Sequence, residues 1–196
     1  MIAAQHKQDG RTRILSAARH LFGSRGFHLT AMSELASEAQ VSVGQIYRLF
    51  KNKYDIILAI VGDDHAEWLA QLERIRSDVR DGRISPAKAF EELARQELAA
   101  DGETLTLEIL AEAGRSPEVA AKIAEFCVEF RPILRDLACL ANPRLQQRDL
   151  EAATEVLQAC LFGLSGRMFA GCDVHIDIAA AETARLFMAM LDNAVS

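Results

Sequence analysis

The segment from Thr30 to Ile57, TAMSELASEAQVSVGQIYRLFKNKYDII, most limits what this chain can become, because it packs two helix starts and a break into under thirty residues. Thr30 is a good N-cap before Met32, Leu35, Ala36 and Ala39, which fall on one face at helical spacing. Ser42 opens a second helix, Val43 to Leu49, only a few residues after the first must end. Ala39, Val41, Ile46 and Leu49 are small or branched, so they can hold two helices together at a steep angle. Asn52 is placed to cap a further helix beginning near Lys53.

Such a pair of helices has the geometry of a helix-turn-helix, and its outward face is left to Val43, Gln45, Tyr47 and Arg48. The segment resembles the DNA-binding region of the TetR family of bacterial transcriptional regulators. The resemblance rests on the Thr30 cap, the Ala36 and Ala39 pair, the run Val41-Ser42-Val43-Gly44-Gln45-Ile46-Tyr47, and Phe50 followed by Lys53. It is strong over about residues 9 to 60, and beyond them lies in helix number and length. In two places the chain departs from the family's pattern: Gln40 stands where glycine is frequent in the turn, and Val43 where a polar residue is frequent. A positive φ at Gln40 costs about 1 kcal/mol, and Val43 can meet a base only through apolar contact, such as a thymine methyl.

The resemblance implies a homodimer that binds double-stranded DNA at an inverted repeat and responds to a small-molecule effector, with repression the commoner mode. Gln45 and Arg48 are the expected base donors, Gln suited to adenine and Arg to guanine or a phosphate. Gly44 permits close approach of the backbone, and Tyr47 offers a hydroxyl to phosphate. Thr30, Ser42 and Lys53 sit at or beside helix N-termini, where exposed N–H groups favour an anion, so phosphate clamping is expected of them. Thr30 and Ser42 would also serve as caps without any DNA, and Tyr47 could be a core aromatic with its hydroxyl at the rim.

The net charge of −6 argues against a nucleic-acid partner until it is divided along the chain. Residues 1–60 hold eight Lys and Arg against four acids, and the remaining 136 residues carry a balance of −10. A basic head on an acidic body suits docking on phosphates by one end. The N-terminus has no apolar signal core, and the apolar stretch Val156 to Gly166 is too short to cross a bilayer, so a cytoplasmic protein without membrane contact is expected. Cys127, Cys139, Cys160 and Cys172 match neither a metal clip nor a small disulfide framework, and buried reduced thiols are the plainer reading beside a redox sensor.

The pattern is all-α, with about nine helices. Asp9 to Ser24 forms the first, and the third is followed by a long helix from Asn52 to about Arg80 ended by Gly82. Ser85-Pro86 and Ser116-Pro117 each give a cap followed by proline at the first helical position, the former starting a helix that Asp101-Gly102 breaks. Between them lies Glu103 to about Ala113; the second Ser-Pro helix reaches about Leu140, with Pro132 inside it as a source of a kink. Leu145 to Ala170 and Asp177 to Ala194 complete the set. The expected domains are a helix-turn-helix domain at 1–52, with the motif about 31–50, and a ligand-binding and dimerisation domain at 53–196.

The last two helices are apolar over more than one face: Val156, Leu157, Cys160, Leu161, Leu164 and Met168 in one, Ile178, Leu186, Phe187, Met190, Leu191 and Val195 in the other. Half of a four-helix dimer interface accounts for the second stripe, and burial in the subunit's own core is the alternative. For the effector, an apolar pocket with few polar groups is expected from His65, Trp68, Phe90, Leu105, Glu108, Phe126, Phe130, Phe162 and Phe169, residues that could equally fill the bundle. Glu112 and Arg131 are expected at the surface, solvated or paired. No cofactor or metal is called for: no histidine has an acid three residues before it, P-loop and GxGxxG strings are missing, and Gly163-Leu164-Ser165-Gly166 lacks the spacing of a nucleophile elbow. An all-α enzyme or a protein-interaction module is the alternative to a DNA-binding regulator.

Overall fold

A computed structural model describes residues 2–99, 104–166 and 175–193. Among these the protein is all-α: α1 (Ile2–Arg25), α2 (Met32–Glu38), α3 (Val43–Leu49), α4 (Lys53–Arg80), α5 (Pro86–Ala99), α6 (Thr104–Ala113), α7 (Pro117–Ala141), α8 (Gln147–Ser165) and α9 (Ile176–Asn193). The start of α1 lies seven residues before the expected Asp9, and α7 is continuous through Pro132. The expected C-terminal part of α8, including Met168 and Phe169, and Cys172 and Val195 lie outside the described residues.

Local chemistry sets the ends of these helices. The Ser42 hydroxyl accepts the Gln45 N–H at 3.2 Å, the Asn52 carbonyl oxygen accepts the Asp55 N–H at 3.0 Å, and the Ser85 and Ser116 hydroxyls do the same for Lys88 and Val119. Thr30 breaks the expectation. Ala31 takes the cap position of α2, and its N–H donates to the Glu34 carboxylate at 2.8 Å. With the helix start closed from inside by that glutamate, the Thr30 hydroxyl turns into the core and donates to the Gly26 carbonyl at 2.9 Å.

The turn between α2 and α3 is a Schellman closure: Val41 N–H bonds Ala36 O at 3.0 Å and Gln40 N–H bonds Ser37 O at 3.1 Å. Gln40 occupies the left-handed position with φ 53°, the conformation expected of it in place of glycine. Arg13 on α1 steadies the turn by donating to the Gln40 carbonyl at 2.5 Å.

The chain forms two compact units. Unit 1 takes residues 1–66 and 103–125, so it includes the first half of α4 and all of α6; unit 2 takes residues 67–102 and 126–196. The core of unit 1 is built from Ile14, Leu15, Ala18, Leu21, Phe22, Phe27, Leu35, Ile46, Ile56, Ile60 and Leu105. Bidentate pairs Arg11–Asp63 and Arg19–Asp64 tie α1 to α4.

In unit 2, α5 packs along α9 and α8, and Phe90 meets Phe187 edge to face at 5.7 Å in a core shared with Leu72, Leu93, Phe130, Leu134, Leu157 and Leu191. Arg76 and Arg80 both reach Asp136, while Arg131 pairs with Glu151 and Glu155, as expected of a surface arginine. The cysteines correct the sequence reading: Cys127 and Cys160 are exposed, and Cys139 is half-buried against the core of unit 2. Trp68, Phe126 and Phe130 form an aromatic cluster, with Trp68 4.9 Å from Phe126 and 4.5 Å from Phe130. The Trp68 indole donates to Glu97, whose carboxyl burial pushes up to about 7.

Two predictions follow from these local geometries. Gln40→Gly should stabilise the protein by about 0.5 kcal/mol, the relief of left-handed strain exceeding the added freedom of the unfolded chain; a urea midpoint unchanged or lowered would contradict it. Glu97 holds its proton to higher pH folded than unfolded, so its contribution is fully present below about 4.5 and is lost as pH rises toward 7. Unfolding measured from pH 4.5 to 7.5 should therefore show the wild type losing about 3 kcal/mol relative to Glu97→Gln; parallel curves would contradict it.

Candidate nucleic-acid interface

Phe27 anchors the loop between α1 and α2. Its ring is 1% exposed and meets Phe22 at 5.1 Å and Tyr54 at 5.2 Å, a burial that contributes about 2–3 kcal/mol. Its N–H donates to the Glu108 carboxylate at 2.8 Å, and Gly26, at φ 89°, lies directly beside that carboxylate. Lys53, at the first turn of α4, sends its ammonium into the same loop and donates to the carbonyls of Phe27 at 2.7 Å, His28 at 3.2 Å and Thr30 at 2.8 Å. The ammonium also sits 4.9 Å from the centre of the Phe27 ring.

Lys53, expected at a phosphate, has all three donors engaged inside unit 1 in this structure. Desolvation lowers its pKa, and the nearby Glu112 carboxylate acts in the opposite direction. Glu112 corrects an expectation. It is buried at 1% exposure rather than solvated, with His28 Nε2 2.8 Å from its Oε2, and its nearness raises the Tyr54 pKa. Thr30, also 1% exposed with its hydroxyl turned inward, does not present that hydroxyl to a phosphate.

With the loop so fixed, α3 is held through Ile46, which is fully buried, and its other side faces outward. Ser42, Val43 and Gly44 are exposed, and a side chain at Gly44 would meet open space. Tyr47 is 53% exposed, so its ring is at the surface and not in the core. Gln45 is half-buried: its amide nitrogen lies 3.7 Å from where a Cβ on Gly10 of α1 would stand. Arg48 is exposed, and so is Lys51, which the sequence reading passed over.

The charges sort themselves by partner. Arg11, Arg19 and Arg25 are taken by Asp63, Asp64 and Glu34, and Arg13 by the turn carbonyl. Asp63 and Asp64 lie just beyond the stretch that was counted as a basic head, so the head is less basic than that count. Among the described residues of 30–60, Arg48 and Lys51 are the cationic side chains that have neither an ion pair nor a hydrogen bond.

The nine residues expected to line an effector pocket do not gather in one unit. His65, Leu105 and Glu108 belong to unit 1, where Leu105 is core and Glu108 holds the loop. Unit 2 contains Trp68, Phe90, Phe126, Phe130 and Phe162. Of these Phe90 is core, Phe162 is 63% exposed, and Trp68, Phe126 and Phe130 touch one another. Phe169 lies outside the described residues. Glu97 was missed at the sequence level, although its place one turn after Leu93 on the apolar face of α5 was the available signal.

Residues 14–60 match the model of the tetR family of bacterial regulatory proteins. The HTH-type transcriptional regulator UidR of Escherichia coli (strain K12) is 33% identical over 116 residues, which are 59% of this chain and 58% of that protein; the match thus spans little over half the length of this relative. The structure is similar to Salmonella enterica GusR, at 26% identity and a TM-score of 0.69, covering 95% of each chain. It shares its fold with the transcriptional regulator FadR from Bacillus subtilis in complex with stearoyl-CoA, at 18% identity and a TM-score of 0.72, covering 91% of this chain and 97% of that one. In its helix-turn-helix segment and in its helical architecture the chain is thus similar to the tetR family of bacterial regulatory proteins.

Proposed function

We propose that this protein is a transcriptional regulator, a repressor that binds an inverted-repeat operator as a homodimer and leaves it when unit 2 takes up a small, mostly apolar molecule. The observation that carries the reading is the outward side of α3: Val43, Tyr47 and Arg48 exposed, Lys51 beside them, and the two cations without internal partners among the described residues. A face with cations and a tyrosine hydroxyl at the end of a helix-turn-helix suits phosphates and base edges together. Arg48 and Gln45 read bases, Val43 meets a thymine methyl, Ser42, Tyr47 and Lys51 position the backbone, and Gly44 leaves room for it.

The regulator reading is supported by the relatives, which are themselves transcriptional regulators, and the effector by FadR, which holds stearoyl-CoA. The dimer is supported by unit 2, whose α8 exposes Val156 and Phe162 and whose α9 exposes Ile178 and Leu186. Large apolar side chains left outside on two neighbouring helices favour a second copy as their cover. An effector shifts operator occupancy only to the extent that it binds the released form more tightly, and moving from mostly bound to mostly free takes about 5 kcal/mol of difference.

The test is an anisotropy titration on duplexes from the upstream region of the gene itself, at several salt concentrations. Gln45→Ala should lose about 1–3 kcal/mol of discrimination at one position of each half-site. Lys51→Ala should weaken every sequence alike and reduce the salt slope by about one per subunit. A wild type that binds no duplex in dilute buffer, or two variants with the same loss of specificity, would overturn the reading.

A further inference from the structure

Gly10 lies inside α1, where glycine is the least favourable residue after proline, and no positive φ calls for it there. It is also buried. Among the described residues outside α1, the atom within 4 Å of the place its Cβ would take is Gln45 Nε2, at 3.7 Å. The bare backbone at Gly10 is therefore the floor on which the Gln45 side chain lies. That contact accounts for a half-buried Gln45 in a helix whose Val43, Gly44, Tyr47 and Arg48 are all exposed.

The same side of α1 grips the turn before α3. Arg13, one helical turn after Gly10, donates to the Gln40 carbonyl at 2.5 Å, and Ala17, a turn further on, is a small buried residue. One face of α1 thus holds both the entry to α3 and a side chain of its first turn. The hydrogen bond that the structure gives Gln45 in that turn is the one from its backbone N–H to Ser42. Its side-chain amide, placed by packing, keeps two donors and an acceptor to offer outward. Ordering a long side chain opposes binding, and a side chain already seated avoids that cost.

Resting on the reading of Gln45 as a base donor, we infer that Gly10, which lies outside the helix-turn-helix, is a positioning residue for sequence discrimination: its missing side chain leaves the seat that aims the Gln45 amide at one base pair of each half-site. A methyl group 3.7 Å from the amide nitrogen is in ordinary contact and leaves the amide where it is. The γ carbons of a valine reach further and take the amide's place. Alanine and valine are both better helix formers than glycine, so a change seen with valine alone reports on the seat and not on the stability of α1.

Two measurements on the full-length protein test this. In NMR spectra without DNA, the Gln45 side-chain amide, identified by its loss in Gln45→Ala, should show a nuclear Overhauser contact to the α protons of Gly10 and should shift further in Gly10→Val than in Gly10→Ala. In titrations with the operator and with duplexes changed at single base pairs, Gly10→Val should lose about tenfold discrimination at the position that Gln45→Ala loses, while binding an unrelated duplex within about twofold of wild type. Gly10→Ala should keep the discrimination, and the double variant Gly10→Val, Gln45→Ala should be no less selective than Gln45→Ala. Absence of the Overhauser contact, wild-type discrimination in Gly10→Val, a loss spread over all positions, or additive losses in the double variant would overturn the inference. A wild type that binds no duplex refutes the regulator reading instead, and the Overhauser contact with its shift in Gly10→Val then decides on the seat by itself.

Discussion

The Lys53 ammonium is the interaction on which the helix-turn-helix part of the molecule depends. Three backbone carbonyls of a loop that belongs to no helix converge on it, those of Phe27, His28 and Thr30. Without a donor these oxygens would lie partly buried beside two acidic side chains, Glu108 and Glu112, that press on the same loop. The lysine joins the start of α4 to the segment that launches α2, and α2 in turn sets α3 through the Schellman turn at Gln40. The chain of dependence runs from one cation through a loop to the exposed side chains of a seven-residue helix.

A helix that short has no stability of its own. Its orientation comes from Ile46, buried in the unit 1 core, and from the capping hydroxyl of Ser42. Charge is divided by the same logic. Arginines that brace α1 against α4 are neutralised by Asp63 and Asp64, whereas Arg48 and Lys51 remain outward, which focuses the positive potential of the unit on one small surface.

The parts of the fold that were legible in the sequence are those governed by neighbours a few residues away. Ser42, Asn52, Ser85 and Ser116 cap where they were expected to, Gln40 adopts the left-handed turn, and the order of helices follows from their breaks. Side-chain roles that depend on distant residues were not legible. Thr30 has the chemistry of a cap, yet Glu34 closes α2 first; Lys53 has the chemistry of a surface cation, yet carbonyls over twenty residues away take its donors. Glu108 and Glu112 come from α6, far along the chain, and local pattern cannot assign a glutamate to a loop that folding brings beside it. The same holds for Glu97, whose only signal was a position on an apolar stripe.

Lys53→Met is the most direct test of this account, since it removes the three donors and keeps the apolar stem beside Phe27. Urea unfolding together with the salt dependence of DNA binding separates the two roles that a lysine at this position could have. The account predicts a loss of stability of about 2 kcal/mol, with the salt slope of the folded protein unchanged. Undiminished stability combined with a salt slope lowered by about one per subunit would place the ammonium on a phosphate and contradict it.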